Sequence, residues 1–240
     1  MIGLCQSEVA INTSPAEHGH GSCPILDGVF VSVMRRIFNP GFHKVKSKVI
    51  HDKEDDYYSY QELVSEVEVM LTTTLLPDKC TLLVEETIPR GAYVDPDQLR
   101  ELRYRSGLRT FIPTKVDVEK PEFESESWRV FIFRPLRVQE NLRVTNIQLP
   151  VHMRYHRPGV PAPPQHGGGG DPTPPMATVK INNPRLLLSC QDEDLIRNCS
   201  ERRVTSYCDD SGLEKCDWLN LPYKINVASI EVNNNVQYTF

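Results

Sequence analysis

Residues 147–156 read Ile147-Gln148-Leu149-Pro150-Val151-His152-Met153-Arg154-Tyr155-His156. Side chains alternate across an extended chain, so Ile147, Leu149, Val151, Met153 and Tyr155 share one face, and Gln148, Pro150, His152, Arg154 and His156 share the other. The pattern predicts a β-strand that packs its aliphatic face and presents a row of His and Arg. On a helix, His152 and His156 would form a zinc-ligand pair. On a strand they stand roughly 13 Å apart, too far to share one ion.

Working outward, Leu142 and Val144 lie in the opposite phase to Ile147, which predicts a bulge or short turn near Asn146. Leu63, Val67, Val69 and Leu71 alternate with Glu62, Glu66, Glu68 and Met70, as a half-buried strand does. Thr81 to Glu85 is another strand. Val130-Phe131-Ile132-Phe133 is apolar on both faces and predicts a strand covered on each side. Further strands are expected at Thr178 to Ile181, at Arg185 to Cys190, and where Ala228, Ile230, Val232, Val236 and Tyr238 keep one phase.

One helix is legible, beginning Asp95-Pro96-Asp97-Gln98-Leu99-Arg100-Glu101-Leu102-Arg103. Asp95 caps it, Pro96 takes the first helical position, Gln98 closes a capping box, and Leu99 and Leu102 face one side. The expected fold is therefore all-β and β-sandwich-like, with one short helix. Residues 1–28 show no periodicity and are expected to be a mobile N-terminal segment. Residues 158–175 hold seven prolines and five glycines, a composition that predicts a disordered loop within a β-rich domain spanning 29–240.

The 240 residues carry a formal net charge of -5, with basic residues spread along the chain, which argues against nucleic-acid binding. No phosphate-binding glycine loop, nucleophile elbow or other catalytic constellation is present, and no cofactor is expected. Glu85-Glu86 and the acids between Asp52 and Asp56 read as solvated surface. Four of the seven cysteines, Cys190, Cys199, Cys208 and Cys216, fall within residues 190–216. Crowding without any C-x-x-C pair predicts disulfides in an oxidising compartment and no metal site, with the pairing open. The sequons at Asn12 and Asn198 fit a secretory route as glycosylation candidates. The first residues carry no signal-peptide pattern, and no run of about 18 apolar residues exists to span a membrane.

Three ordered segments resemble the PIG-X family: Gly41-Phe42-His43-Lys44, Ile88-Pro89-Arg90-Gly91-Ala92-Tyr93-Val94-Asp95-Pro96 with Gln98-Leu99, and Pro150-Val151-His152-Met153-Arg154-Tyr155-His156. The resemblance runs from about residue 35 to 157, with weaker support from Cys216-Asp217-Trp218. It implies a non-catalytic subunit with a β-rich luminal domain in the endoplasmic reticulum, which binds and stabilises the catalytic subunit of GPI mannosyltransferase I. That partner is a polytopic membrane enzyme that adds the first mannose during glycosylphosphatidylinositol (GPI) anchor synthesis. Family members usually begin with a signal peptide and end with a transmembrane helix, and neither signal is legible in this sequence as read.

Together, the strand pattern and the resemblance make His152, Arg154 and His156 the candidate partner-binding row. Gly91 is expected to adopt a positive φ, a structural reason for its place in the motif. The alternative function is a secreted β-sandwich that binds carbohydrate or another ligand.

Overall fold

In the computed structural model, the described residues are 30–38, 62–72, 79–139, 142–156, 177–191, 199–221, 223 and 230–234. Residues 1–28 and 158–175, the acids between Asp52 and Asp56, and both sequon asparagines, Asn12 and Asn198, lie outside them.

Two antiparallel sheets form the body of the domain. The first runs in the order β1 (Phe30–Phe38), β2 (Glu62–Thr72), β8 (Leu142–Met153), β4 (Ala92–Tyr93), and β7 (Arg137–Gln139) also pairs with β8. The second has six strands in the order β11 (Arg203–Tyr207), β12 (Lys215–Asn220), β10 (Arg185–Cys190), β3 (Cys80–Ile88), β6 (Trp128–Pro135), β5 (Arg109–Phe111). A separate ribbon joins β9 (Ala177–Ile181) to β13 (Ile230–Asn234). The fold is all-β and sandwich-like, as the strand patterns predict.

Period-two burial explains the layering. Leu82, Val84, Val130, Ile132, Leu186 and Leu188 from the six-stranded sheet join Ile147, Leu149 and Val151 from β8 in one buried core. The opposite face of the larger sheet buries Leu83, Phe131, Phe133, Leu187 and Trp218 in a second cluster. Residues 130–133 are thus covered on both faces, as their unbroken apolarity requires. The Trp218 indole, 2% exposed, donates its N–H to the Tyr207 carbonyl at 3.1 Å.

Helix α1 (Pro96–Ser106) starts where the sequence places it. Asp95 is extended, and its carboxylate accepts the Asp97 N–H at 2.8 Å. Gly107 closes the helix in the left-handed region at φ 65°. Leu99 is buried in the inter-sheet core with Leu102 packed beside it. Arg134 of β6 donates to the last carbonyls at Ser106 and Gly107, both at 3.2 Å. Burial lowers the Arg134 pKa, with repulsion from Arg137 as the second cause.

Two sequence expectations are corrected here. Strand β8 has no bulge near Asn146, because its register with β2 is unbroken from Thr72↔Leu142 to Glu62↔His152. The inward positions continue through Thr145 and Arg143, 7% and 6% exposed, so the buried face keeps its phase while its side chains turn polar. Glu85 and Glu86 are also not a solvated pair, being 6% and 1% exposed. Glu85 accepts the Ser206 hydroxyl at 2.8 Å and pairs with Arg185 at 3.3 Å.

All four candidate cysteines are oxidised. Cys190 bonds Cys80, its direct cross-strand neighbour on β3, and Cys208 bonds Cys216 across the β11–β12 hairpin. Cys199 is disulfide-bonded as well. Among the described residues, no helix is long and apolar enough to cross a membrane.

Candidate functional site

The two most distinctive sequence segments, 88–96 and 150–156, meet in space. After the turn closed by the Ala92 N–H on the Pro89 carbonyl at 3.0 Å, β4 lies antiparallel to the end of β8, pairing Ala92 with Met153 and Tyr93 with His152. The Arg154 N–H then donates to the Gly91 carbonyl at 3.0 Å, which extends the contact past the strand. Pro150 is buried where neither β7, which pairs as far as Val144, nor β4, which begins at His152, is hydrogen-bonded to β8. A residue without an N–H fits such a gap in a ladder.

Gly91 is required for space. It is not among the positive-φ glycines of the described residues, which are Gly107 and Gly212. A Cβ at Gly91 would stand 2.8 Å from Val179 Cγ2 and 2.9 Å from His156 Nε2. The motif glycine therefore lets His156 and the β9 strand close over the junction.

The His/Arg row is arranged differently from the sequence expectation. His152 is half-buried, its Nε2 bonded to Gln98 Oε1 at 2.9 Å and its ring stacked on Tyr93 with centroids 5.0 Å apart. Gln98, expected to close a capping box, thus reaches from the helix across to β8. Arg154 is 4% exposed, whereas Tyr155, expected to pack, is 53% exposed. The inversion begins where the β-ladder ends at Met153. Beyond that residue the neighbouring surface is the 113–127 loop, and the chain turns its guanidinium toward loop carbonyls instead of toward solvent. His156 is half-buried and bonds the Arg154 carbonyl through Nδ1 at 2.8 Å.

Arg154 holds that loop. Its Nη1 donates to the carbonyls of Asp117 at 2.7 Å and Lys120 at 2.6 Å, and its guanidinium lies 5.1 Å from the Tyr93 ring centroid. Burial lowers the Arg154 pKa, opposed by Tyr93 and Asp117. A 3-10 turn at Glu122–Glu124 completes the closure, with the Glu122 N–H on the Tyr155 carbonyl at 2.8 Å and the Glu122 carboxylate paired with Arg90. Arg90, Gly91, Tyr93, Gln98, His152, Arg154 and His156 thus form one junction between the two segments. The sequence reading isolated both segments but not their contact, because two separate motifs carry no sign that they are neighbours.

Between this loop and the ends of β3 and β6 lies a pocket of about 580 Å³, bordered by Thr87, Trp128, Arg129 and Arg154. Among the described residues, no group of three or more His, Cys, Asp or Glu is placed to hold a metal ion.

Comparison with known proteins gives these residues a context. The family described as PIG-X / PBN1 matches residues 39–236, a span that contains both segments of the junction. The chain is 33% identical over 147 residues to a Homo sapiens protein named GPI alpha-1,4-mannosyltransferase I, stabilizing subunit, covering 60% of this chain and 52% of that protein. Proteins of the same name from Rattus norvegicus and Mus musculus are 32% and 31% identical over 162 residues, covering 67% of this chain and 59% of each relative. The chain therefore spans between half and three-fifths of the length of these curated relatives. No solved structure shows a significant match.

Proposed function

The chain belongs to the PIG-X / PBN1 family, and on that premise we propose that it is a non-catalytic accessory subunit. It binds and stabilises the endoplasmic-reticulum mannosyltransferase that adds the first mannose in GPI-anchor biosynthesis, from the luminal side of the membrane. The observation that carries this reading is the identity of about a third to relatives named as the stabilizing subunit of that enzyme. The oxidised cysteines agree with a luminal domain, since disulfides persist in that compartment. Membrane attachment through a helix, and a polytopic partner, follow from the same reading.

The junction suits a scaffold role. His152 and His156 position this junction through their bonds to Gln98 and to the Arg154 carbonyl, and Arg154, through its bonds to the loop carbonyls, fixes the surface that the partner meets. That surface is the 113–127 loop, carrying Phe123 at 42% exposed, with the adjoining Tyr155 at 53%. Exposed aromatics beside ordered backbone are a common anchor for protein partners.

The test is affinity purification of the full-length protein from microsomes, followed by identification of what accompanies it. Recovery of the mannosyltransferase catalytic subunit supports the reading. Its absence under conditions that preserve other membrane complexes refutes it.

A further inference from the structure

We propose that the pocket beside Arg154 receives one carboxylate, the side chain of an aspartate or glutamate carried by the partner polypeptide. This deepens the subunit reading and rests on it for the partner's identity.

Arg154 is 4% exposed and borders the pocket. It spends Nη1 on the two loop carbonyls, and its buried Nε–H has no acceptor among the described residues. No bond of Nη2 is found there either, so the Nε/Nη2 edge of the fork is uncommitted. That edge grips a planar two-oxygen anion side-on, through two parallel N–H···O bonds. A buried donor without an acceptor is unfavourable unless a ligand supplies the missing oxygen.

The rest of the lining selects among oxoanions. Lys115, Lys120 and Arg129 share the pocket wall with Asp117, Glu124 and Glu126, so three cations face three anions before Arg154 is added. One uncompensated positive charge matches a single carboxylate. A doubly charged phosphate would exceed that single positive charge and leave the pocket with a net negative charge. At about 580 Å³ the space exceeds a bare ion and admits a side chain with its flanking backbone.

The experiment follows the Arg154 Nε–H resonance in the full chain by NMR during titration with N-acetyl-aspartate N-methylamide. The asparagine counterpart and inorganic phosphate serve as the other arms. The expected result is a saturable shift with the aspartate probe, none with the asparagine probe, and a weaker response to phosphate. Arg154→Lys, followed through the backbone amides of residues 115–129 because its own Nε–H is gone, keeps the charge but removes the side-on edge, and is expected to weaken binding about tenfold. Should that variant misfold, Lys115→Glu with Lys120→Glu changes exposed side chains only and is expected to weaken binding about two- to fivefold.

No response, an equal response to both amino-acid probes, or a stronger response to phosphate overturns the proposal. Aspartate binding without recovery of the catalytic subunit from microsomes counts against the subunit reading and leaves the carboxylate site standing. Recovery without probe binding removes the site alone.

Discussion

Replacing Arg154 with Met removes the guanidinium while leaving an unbranched side chain to fill the same channel. Two charge-assisted bonds to the Asp117 and Lys120 carbonyls disappear, each about 1.5–3 kcal/mol by mutational precedent. Two effects reduce that sum. The freed carbonyls belong to exposed residues and regain water, and a charge 4% exposed no longer has to be held away from solvent. The net loss falls to about 2 kcal/mol, and it falls on closure of the 113–127 loop, because the sandwich core does not include Arg154. Amide hydrogen exchange across 117–125 should then accelerate about thirtyfold, with the Glu122 N–H that bonds Tyr155 as the sharpest reporter. Exchange in β3 and β10 should change little. Unaltered exchange at 117–125, with an earlier global unfolding transition instead, would refute the anchoring role and make Arg154 a core-packing residue.

Gly91→Ala should destabilise by about 1–3 kcal/mol through overpacking against Val179 and His156. Gly107→Ala, with nothing near its added Cβ, should lose only the left-handed backbone preference, about 1–2 kcal/mol; paired urea titrations compare them. Cys80→Ser with Cys190→Ser opens a loop of 110 residues' separation and should lower stability by about 4–5 kcal/mol, whereas Cys208→Ser with Cys216→Ser, a separation of 8, should cost about 2–3. A larger loss from the short loop in thermal melts would contradict the chain-entropy argument. Trp218→Ala should cost about 3–5 kcal/mol by emptying the second cluster, and denaturant unfolding would show it.

The parts legible in the sequence are those fixed by local chemistry. Asp95-Pro96 announces the helix because a cap and a ring-locked φ act within one turn. Ile147 to Val151 announces β8 because alternation is a property of the chain itself. The errors lie where a non-local neighbour decides. Arg143 and Thr145 occupy inward positions that an apolar count assigns outward. Arg154 and Tyr155 exchange exposure because the strand ladder stops one residue earlier and a loop takes over the packing. Glu85 turns inward to meet Ser206, 121 residues away. Gly91 is needed for closeness to Val179 and His156, a constraint that no property of its own neighbours encodes. The crowded cysteines signalled oxidation, but Cys190 pairs outside the crowd, with Cys80, because β3 and β10 lie side by side.

The proposed role is tested most directly by the steady-state amount of the mannosyltransferase catalytic subunit in cells deprived of this protein, then supplied with the full-length wild type or with Arg154→Glu at matched expression. The account predicts that the catalytic subunit falls on depletion, returns with the wild type, and stays low with Arg154→Glu. A level that is the same in all three conditions would contradict it.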